Sequence, residues 1–289
     1  MPEQSNSVGP ELRGKLVFGA ASLGMGYGLP RDGGAANAAP SEADAAALVE
    51  HALELGVTTF DTAPAYGDSE VRLGRALADR ASVWTKVASG DPSASLDASL
   101  SRLQRSRVQL LQWHNWTRAL EQDVTWIRAW SALRGDARVE RLGATTYGVD
   151  DAVAAAESGL FDVVQCEFNL LNQRVVAALS ERSITIAVRS VLLQGALTDE
   201  GRALPDKPTL RDGVERARSV AHGELTRFAL REALERSTIS HVLVGIDRRA
   251  QLDEAIDIAD GASLTDDDHA AIATLDLGGD PACDPRTWR

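Results

Sequence analysis

Residues 56–74 read GVTTFDTAPAYGDSEVRLG. A short apolar run, VTTFDT (57–62), leaves through an Ala/Pro/Gly turn and enters an Arg/Leu/Ala-rich run at 69–80. A buried strand, a loop and an amphipathic helix in that order make one βα unit. The same alternation recurs on either side. Strands are expected at 15–20, 57–62, 82–86, 108–114, 140–146, 161–167, 184–190 and 241–246. Helices are expected at 41–55, 69–80, 93–105, 121–134, 149–158, 172–182, 214–236 and 248–260. The strand runs are continuously apolar, which implies burial on both faces and a parallel sheet. Eight such units in about 250 residues is the count of a (β/α)8 TIM barrel.

An open doubly wound sheet is the rival architecture. It wants a Gly-rich phosphate turn that leads from its first strand directly into a helix. Here GAASLGMGYG (19–28) is followed by a Pro/Gly/Ala loop at 30–40, so the fingerprint is weak and the barrel is preferred. The reading divides the chain into a flexible N-terminal tail (1–14), one barrel domain (15–275) and a C-terminal tail (276–289). The loop at 193–213 is long for a compact domain and is expected on the functional face.

The chain has 289 residues, a net charge of −12 and a pI near 4.9. That balance opposes a nucleic-acid partner, which needs a basic face. Two cysteines, Cys166 and Cys283, form no disulfide framework or metal-ligand spacing. No run approaches the ~20 apolar residues that span a bilayer, and the polar N-terminus lacks a signal-like apolar stretch. A cytoplasmic protein without a membrane or metal site is expected, and the oligomeric state is not legible.

In a barrel of this kind, functional side chains project from the C-terminal ends of the strands. The second strand end offers Asp61 and, five residues on, Tyr66. The third offers Lys86 and the fourth His114. Taken singly, Asp61 can cap a helix, Tyr66 can pack in a turn, Lys86 can end a solvated strand and His114 can sit in the core. Together they form a proton-delivery set. An ammonium ion stabilises a phenolate, a carboxylate holds the ammonium, and an imidazole orients a substrate oxygen. The set has no obvious nucleophile, so hydrolysis is disfavoured. Reduction needs an external hydride donor.

Residues 56–74 resemble the signature of the aldo-keto reductase superfamily. WTK (84–86) and WHN (113–115) fall where that family carries its lysine and histidine. The likeness continues through VVQCEFN, RSVLLQGAL and VGIDRRAQLDEA, over roughly residues 15–260. The resemblance implies a catalytic tetrad of Asp61, Tyr66, Lys86 and His114, with Tyr66 as the general acid toward a carbonyl reduced by a nicotinamide. It also implies that Thr145, Thr146 and Gln165 hold the carboxamide and that Arg189 takes the ring-stacking position. Ser190, Leu192, Gln194 and Gly195 would wrap the pyrophosphate. Gly245, Asp247, Arg248, Arg249, Gln251 and Glu254 would surround the adenosine.

The arginine pair at a helix start favours the 2′-phosphate of NADP, while Asp247 opposes it; NADP is preferred and NAD remains open. Thr146, Arg189, Asp247 and Ala255 depart from the family's common choices. Tyr27, Trp113 and Trp116 are candidates for an aromatic substrate pocket. The substrate is expected to be an aldehyde, a ketone or a keto-sugar; arginines near the mouth and a loose likeness to bacterial sugar-pathway members point toward sugars. The alternatives are an NAD-dependent sugar dehydrogenase that works oxidatively and a weakly catalytic, cofactor-binding regulatory subunit.

Overall fold

A computed structural model describes residues 8–31 and 37–288. Eight strands carry the fold: β1 (Leu16–Gly19), β2 (Thr59–Asp61), β3 (Ser82–Val87), β4 (Val108–Trp113), β5 (Val139–Thr145), β6 (Val163–Glu167), β7 (Thr185–Arg189) and β8 (His241–Gly245). All pair in parallel with their sequence neighbours, and β8 closes on β1, giving a closed barrel in the order β1 to β8. Helices α1 (Val8–Gly14), α2 (Ala21–Gly24), α3 (Glu42–Glu54), α4 (Ser69–Leu77), α5 (Pro92–Leu103) and α6 (Val124–Ser131) occupy the first half. They are followed by α7 (Val149–Glu157), α8 (Arg174–Leu179), α9 (Pro208–Val220), α10 (Leu225–Glu235), α11 (Arg249–Asp260) and α12 (Asp266–Ala273).

The barrel interior follows from period-two alternation along each strand. Val17, Trp84, Leu110, Val163, Ala187 and Leu243 form one apolar cluster inside it. Two residues further on, the same inward rows carry Gly19, Lys86, Gln112, Gln165, Arg189 and Gly245. An apolar floor therefore lies beneath a polar layer at the C-terminal face. At the β1–β8 seam that layer is glycine, with Gly19 paired to Gly245 in register. The seam is open where the other strand ends are crowded.

Three expectations are corrected. The run at 214–236 is two helices, α9 and α10, because His222 (φ 50°) and Gly223 (φ 92°) take left-handed backbone and break it. The second helix starts on a side-chain cap: Asp199 accepts from the Leu225 and Thr226 N–H groups at 2.8 and 3.1 Å. Pro208 begins α9 inside what the sequence reads as loop.

Residues 8–14, read as a tail, form α1; Leu12 is buried and Arg13 pairs with Asp260 on α11. Residues 1–7 lie outside the described residues. The C-terminal segment is docked as well. Cys283 is buried, and Trp288 Nε1 donates to the Ala282 carbonyl at 2.8 Å. Apolar residues in a Pro-rich stretch leave no helical or strand period to read, yet they still need burial.

Candidate active site

The signature segment divides into packing and chemistry. Ser69 Oγ donates to the Ala20 carbonyl and accepts from Thr62 Oγ1, so α4 is tied to β1 and β2. Glu70 is buried against Thr85 Oγ1 (2.5 Å) and Arg102 (2.6 Å). Gly67 has φ 56°, and a Cβ there would lie 2.3 Å from the Gly24 carbonyl oxygen. Gly74 packs on α5, where a Cβ would come within 2.7 Å of backbone atoms of Arg102 and Leu103. The motif is thus largely a scaffold that fixes where Asp61 and Tyr66 sit.

Asp61, Lys86, Gln112 and Gln165 form one buried polar cluster. Lys86 Nζ donates to Asp61 Oδ2 at 2.6 Å and to the Thr62 carbonyl at 2.8 Å. The other carboxylate oxygen accepts from Gln112 Nε2 (3.0 Å) and Gln165 Nε2 (3.1 Å). Gln165 also donates to Gln112 Oε1 at 3.0 Å. Asp61 is 3% exposed and Lys86 1%. An ion pair this deep is tolerable only because hydrogen bonds cover its remaining lone pairs.

Lys86 Nζ lies 5.0 Å from the Tyr66 ring centroid. Tyr66 meets His114 edge-on, centroids 5.9 Å apart. Asp61 and Tyr66 line the inner end of one cleft, with Lys86 and His114 packed behind them against Tyr66. Burial, and after it Asp61, push the Tyr66 hydroxyl above its ordinary value, while Arg189 pulls it back. Burial pulls Lys86 below the usual amine value, against the attraction of Asp61. Burial, with Lys86 and Arg189, drops His114 to about 3. Near neutral pH the site presents a protonated phenol, a neutral imidazole and a paired ammonium.

The cleft runs from Asp61 and Tyr66 along Gly19–Ser22, Arg189–Gly195 and Leu243–Gly245 to Asp247, Gln251 and Glu254. Its β7 wall has left-handed backbone at Ser190, Leu193, Gln194 and Gly195 (φ 63°, 45°, 55° and 95°). Thr146 Oγ1 is buried at the top of β5 without a hydrogen-bond partner. An elongated groove over paired glycines, a turned backbone wall and an orphaned hydroxyl fit a dinucleotide whose amide end meets the tetrad.

Not every expected residue reaches that groove. Ser190, Leu192, Gln194, Gly195, Gly245, Asp247, Gln251, Glu254 and Tyr27 line it. Arg248 is held by Glu200 and Asp247. Arg249, the first residue of α11, is exposed and does not line the groove. Thr145 Oγ1 accepts from the Asn115 N–H at 2.7 Å, so its hydroxyl is engaged by the β4 loop.

Arg189 lines the groove, but its guanidinium stacks on Tyr147 at 3.8 Å and donates to the Thr146 carbonyl. Arg286 covers the same ring at 3.5 Å, so Tyr147 lies against two cations. Trp113 and Trp116 are buried in a cluster with Trp126, Trp130 and Phe161 and do not line the groove. Indole rings in a βα loop bury more area against α6 than a small cavity offers. Sequence reasoning missed Gln112, Tyr147, Glu200 and Arg286, and placed Arg202 near the mouth without its Glu200 partner. Gln112 had a signal, as a polar residue inside the apolar run VQLLQW.

A closed barrel with a buried Asp–Lys pair, a tyrosine and a histidine at its C-terminal mouth fits a class of oxidoreductases. The Aldo/keto reductase family model matches residues 15–277, and the chain belongs to that family. The family's chemistry is NAD(P)H-dependent carbonyl reduction. L-galactose dehydrogenase of Arabidopsis thaliana is 29% identical over 273 residues, covering 83% of this chain and 82% of that protein. The uncharacterized oxidoreductase YqkF of Bacillus subtilis is 22% identical, covering 79% and 86%. Among solved structures, aldo-keto reductase AKR11C1 from Bacillus halodurans superposes with a TM-score of 0.74 at 21% identity, over 91% and 92% of the two chains. Glycerol dehydrogenase AKR11B4 from Gluconobacter oxydans gives 0.72 at 21%, over 90% of each. Among the described residues no helix is long and apolar enough to cross a membrane.

Proposed function

We propose that this chain interconverts a carbonyl and an alcohol, with Tyr66 moving the proton. The observation that carries this reading is the contact of Tyr66, at the inner end of the dinucleotide-shaped groove, with His114 and with the Lys86 of the buried Asp61–Lys86 pair. A bound nicotinamide supplies or accepts the hydride. Ser190, Leu192, Gln194 and Gly195 would line its pyrophosphate, and Gly245, Asp247, Gln251 and Glu254 its adenosine.

The substrate oxygen sits between the Tyr66 hydroxyl and the His114 ring. Neutral His114 positions it by a hydrogen bond without competing as an acid. Tyr66 stays protonated until charge develops on that oxygen, then donates. Lys86 and Arg189 stabilise the resulting phenolate; the coulombic pull of Arg189 already opposes the effect of burial. Asp61, fixed by two amide donors, keeps Lys86 charged and in place. In the oxidative direction the same phenolate takes the proton back.

The substrate reading is an aldehyde, ketone or keto-sugar in reduction. The oxidation of a sugar hydroxyl by NAD is a second reading, supported by the name of the Arabidopsis relative and by the polar mouth around Tyr27, Tyr147 and Arg189. Tyr66→Phe tests the mechanism. Turnover on a carbonyl and alcohol panel should fall by about 10²–10⁴-fold, the range of a lost general acid. Nicotinamide binding should persist. Activity within tenfold of the parent enzyme would sink the assignment.

A further inference from the structure

The adenosine end of the groove has its own electrostatics. Glu200, Asp247 and Glu254 line it from the β7 loop, the β8 exit and α11. Arg31, Arg202 and Arg248 lie among them, each beside a carboxylate, with Arg31 Nη2 and Arg202 Nε left without a hydrogen-bond partner. Glu200 Oε1 accepts from Arg248 at 2.6 Å. Glu200 Oε2 accepts from Arg202 at 2.8 Å and lies 3.5 Å from Arg31. Arg248 Nε donates to Asp247 Oδ1 at 3.1 Å, and Arg31 lies 3.9 Å from the same carboxylate.

The Asp247 N–H donates to Gln251 Oε1 at 2.9 Å, and the Gln251 and Leu252 N–H groups meet the Arg248 carbonyl. Arg202 Nε is buried without a partner, yet it lies against Gly195, on the pyrophosphate segment and away from α11.

We propose that these carboxylates make the chain select NAD(H), whose adenosine ribose keeps a free 2′-hydroxyl, over the 2′-phosphorylated NADP(H). The inference rests on the cofactor reading of the proposed function. It reverses the preference that the Arg248–Arg249 pair suggests in the sequence. A 2′-phosphate adds a charge of about −1.5 to −2. To reach Arg248 it must compete with Glu200, and it must stand beside Asp247 and Glu254. A ribose diol needs only acceptors, and Asp247 Oδ2 is available as one while Oδ1 serves Arg248. Glu254 acts as a native probe of this pocket. Burial, then Asp199 and Glu200, raise its carboxyl pKa, and together they outweigh Thr226 and Arg248, which lower it.

Calorimetric titration of the full chain tests the proposal without turnover. The probes are NADH and NADPH, together with ADP-ribose and 2′-phospho-ADP-ribose, which lack the nicotinamide. Each unphosphorylated ligand should bind at least about tenfold more tightly than its phosphorylated partner, because placing like charges together is costly. Asp247→Asn and Glu200→Gln should each tighten NADPH more than NADH and narrow that ratio several-fold. Equal affinities, an NADPH preference, or a ratio unmoved by both substitutions would overturn the proposal. Failure of all four ligands to bind would remove the cofactor reading itself, and this inference with it.

Discussion

Replacing Lys86 by Met removes a buried cation while keeping most of its volume. Asp61 then stays 3% exposed with two amide donors and no counter-charge. If the carboxylate remains ionised, breaking one side of a buried pair costs about 3–5 kcal/mol. Protonation offers an escape: neutralising a carboxyl group of ordinary pKa ~3.9 at pH 7 costs about 4 kcal/mol, at ~1.36 kcal/mol per pH unit. The two routes are close, so the penalty at pH 7 should be about 4 kcal/mol.

The escape has a sign that can be checked. The folded variant holds a proton that the unfolded chain releases, so its penalty shrinks as pH falls. Between pH 7 and 5.5 it should drop by about 2 kcal/mol. Urea unfolding followed by tryptophan fluorescence, run on parent and variant at both pH values, measures it. Lys86→Met paired with Asp61→Leu should recover much of the loss, because no orphan charge remains. A penalty under about 1 kcal/mol at pH 7 would refute the description of Asp61 and Lys86 as a desolvated pair. A full penalty with no pH dependence would refute the protonation route.

Further outcomes follow from the same electrostatics and packing. Because His114 is held at about 3 and Tyr66 above its ordinary value, kcat/KM for reduction should be level between about pH 5 and 8; a limb near 6.5 would mean that His114 ionises in the working range. His241, edge-on to Trp84 at 4.9 Å, is lowered to about 4 by burial first and then by Arg141 and Lys15. Below about pH 6.5 the unfolded imidazole binds a proton that the folded one refuses, so stability is lost as pH falls. His241→Gln should flatten that loss in unfolding measured at pH 7 and pH 5. Trp116→Ala should cost about 3–5 kcal/mol of stability while leaving the substrate KM unchanged; a changed KM with unchanged stability would return Trp116 to the substrate pocket.

The fold was legible because its signal is periodic. Eight apolar runs at βα spacing name the strands, and the strand-end rule then picks Asp61, Lys86 and His114 without any coordinates. What stayed hidden depends on side-chain direction and on partners distant in sequence. Gln165 has the right position, yet both its amide hydrogen bonds go to Asp61 and Gln112. Trp113 and Trp116 flank His114 in sequence, but Trp113, at the end of β4, packs on Trp126 of α6, and Trp116, in the loop after it, packs on Phe161. Arg248 reads as a free cation until Glu200, 48 residues earlier, is brought against it. The C-terminal Arg286 reaches Tyr147 only because the last segment folds back over the mouth. Such pairings between loops leave no local period to read.

The apolar floor of Val17, Trp84, Leu110, Val163, Ala187 and Leu243 seals the tetrad from below. Its six side chains carry no hydroxyl, carboxylate or amide. The cleft that Tyr66 lines opens at the mouth, so on the proposed mechanism proton and reactants would share that entrance.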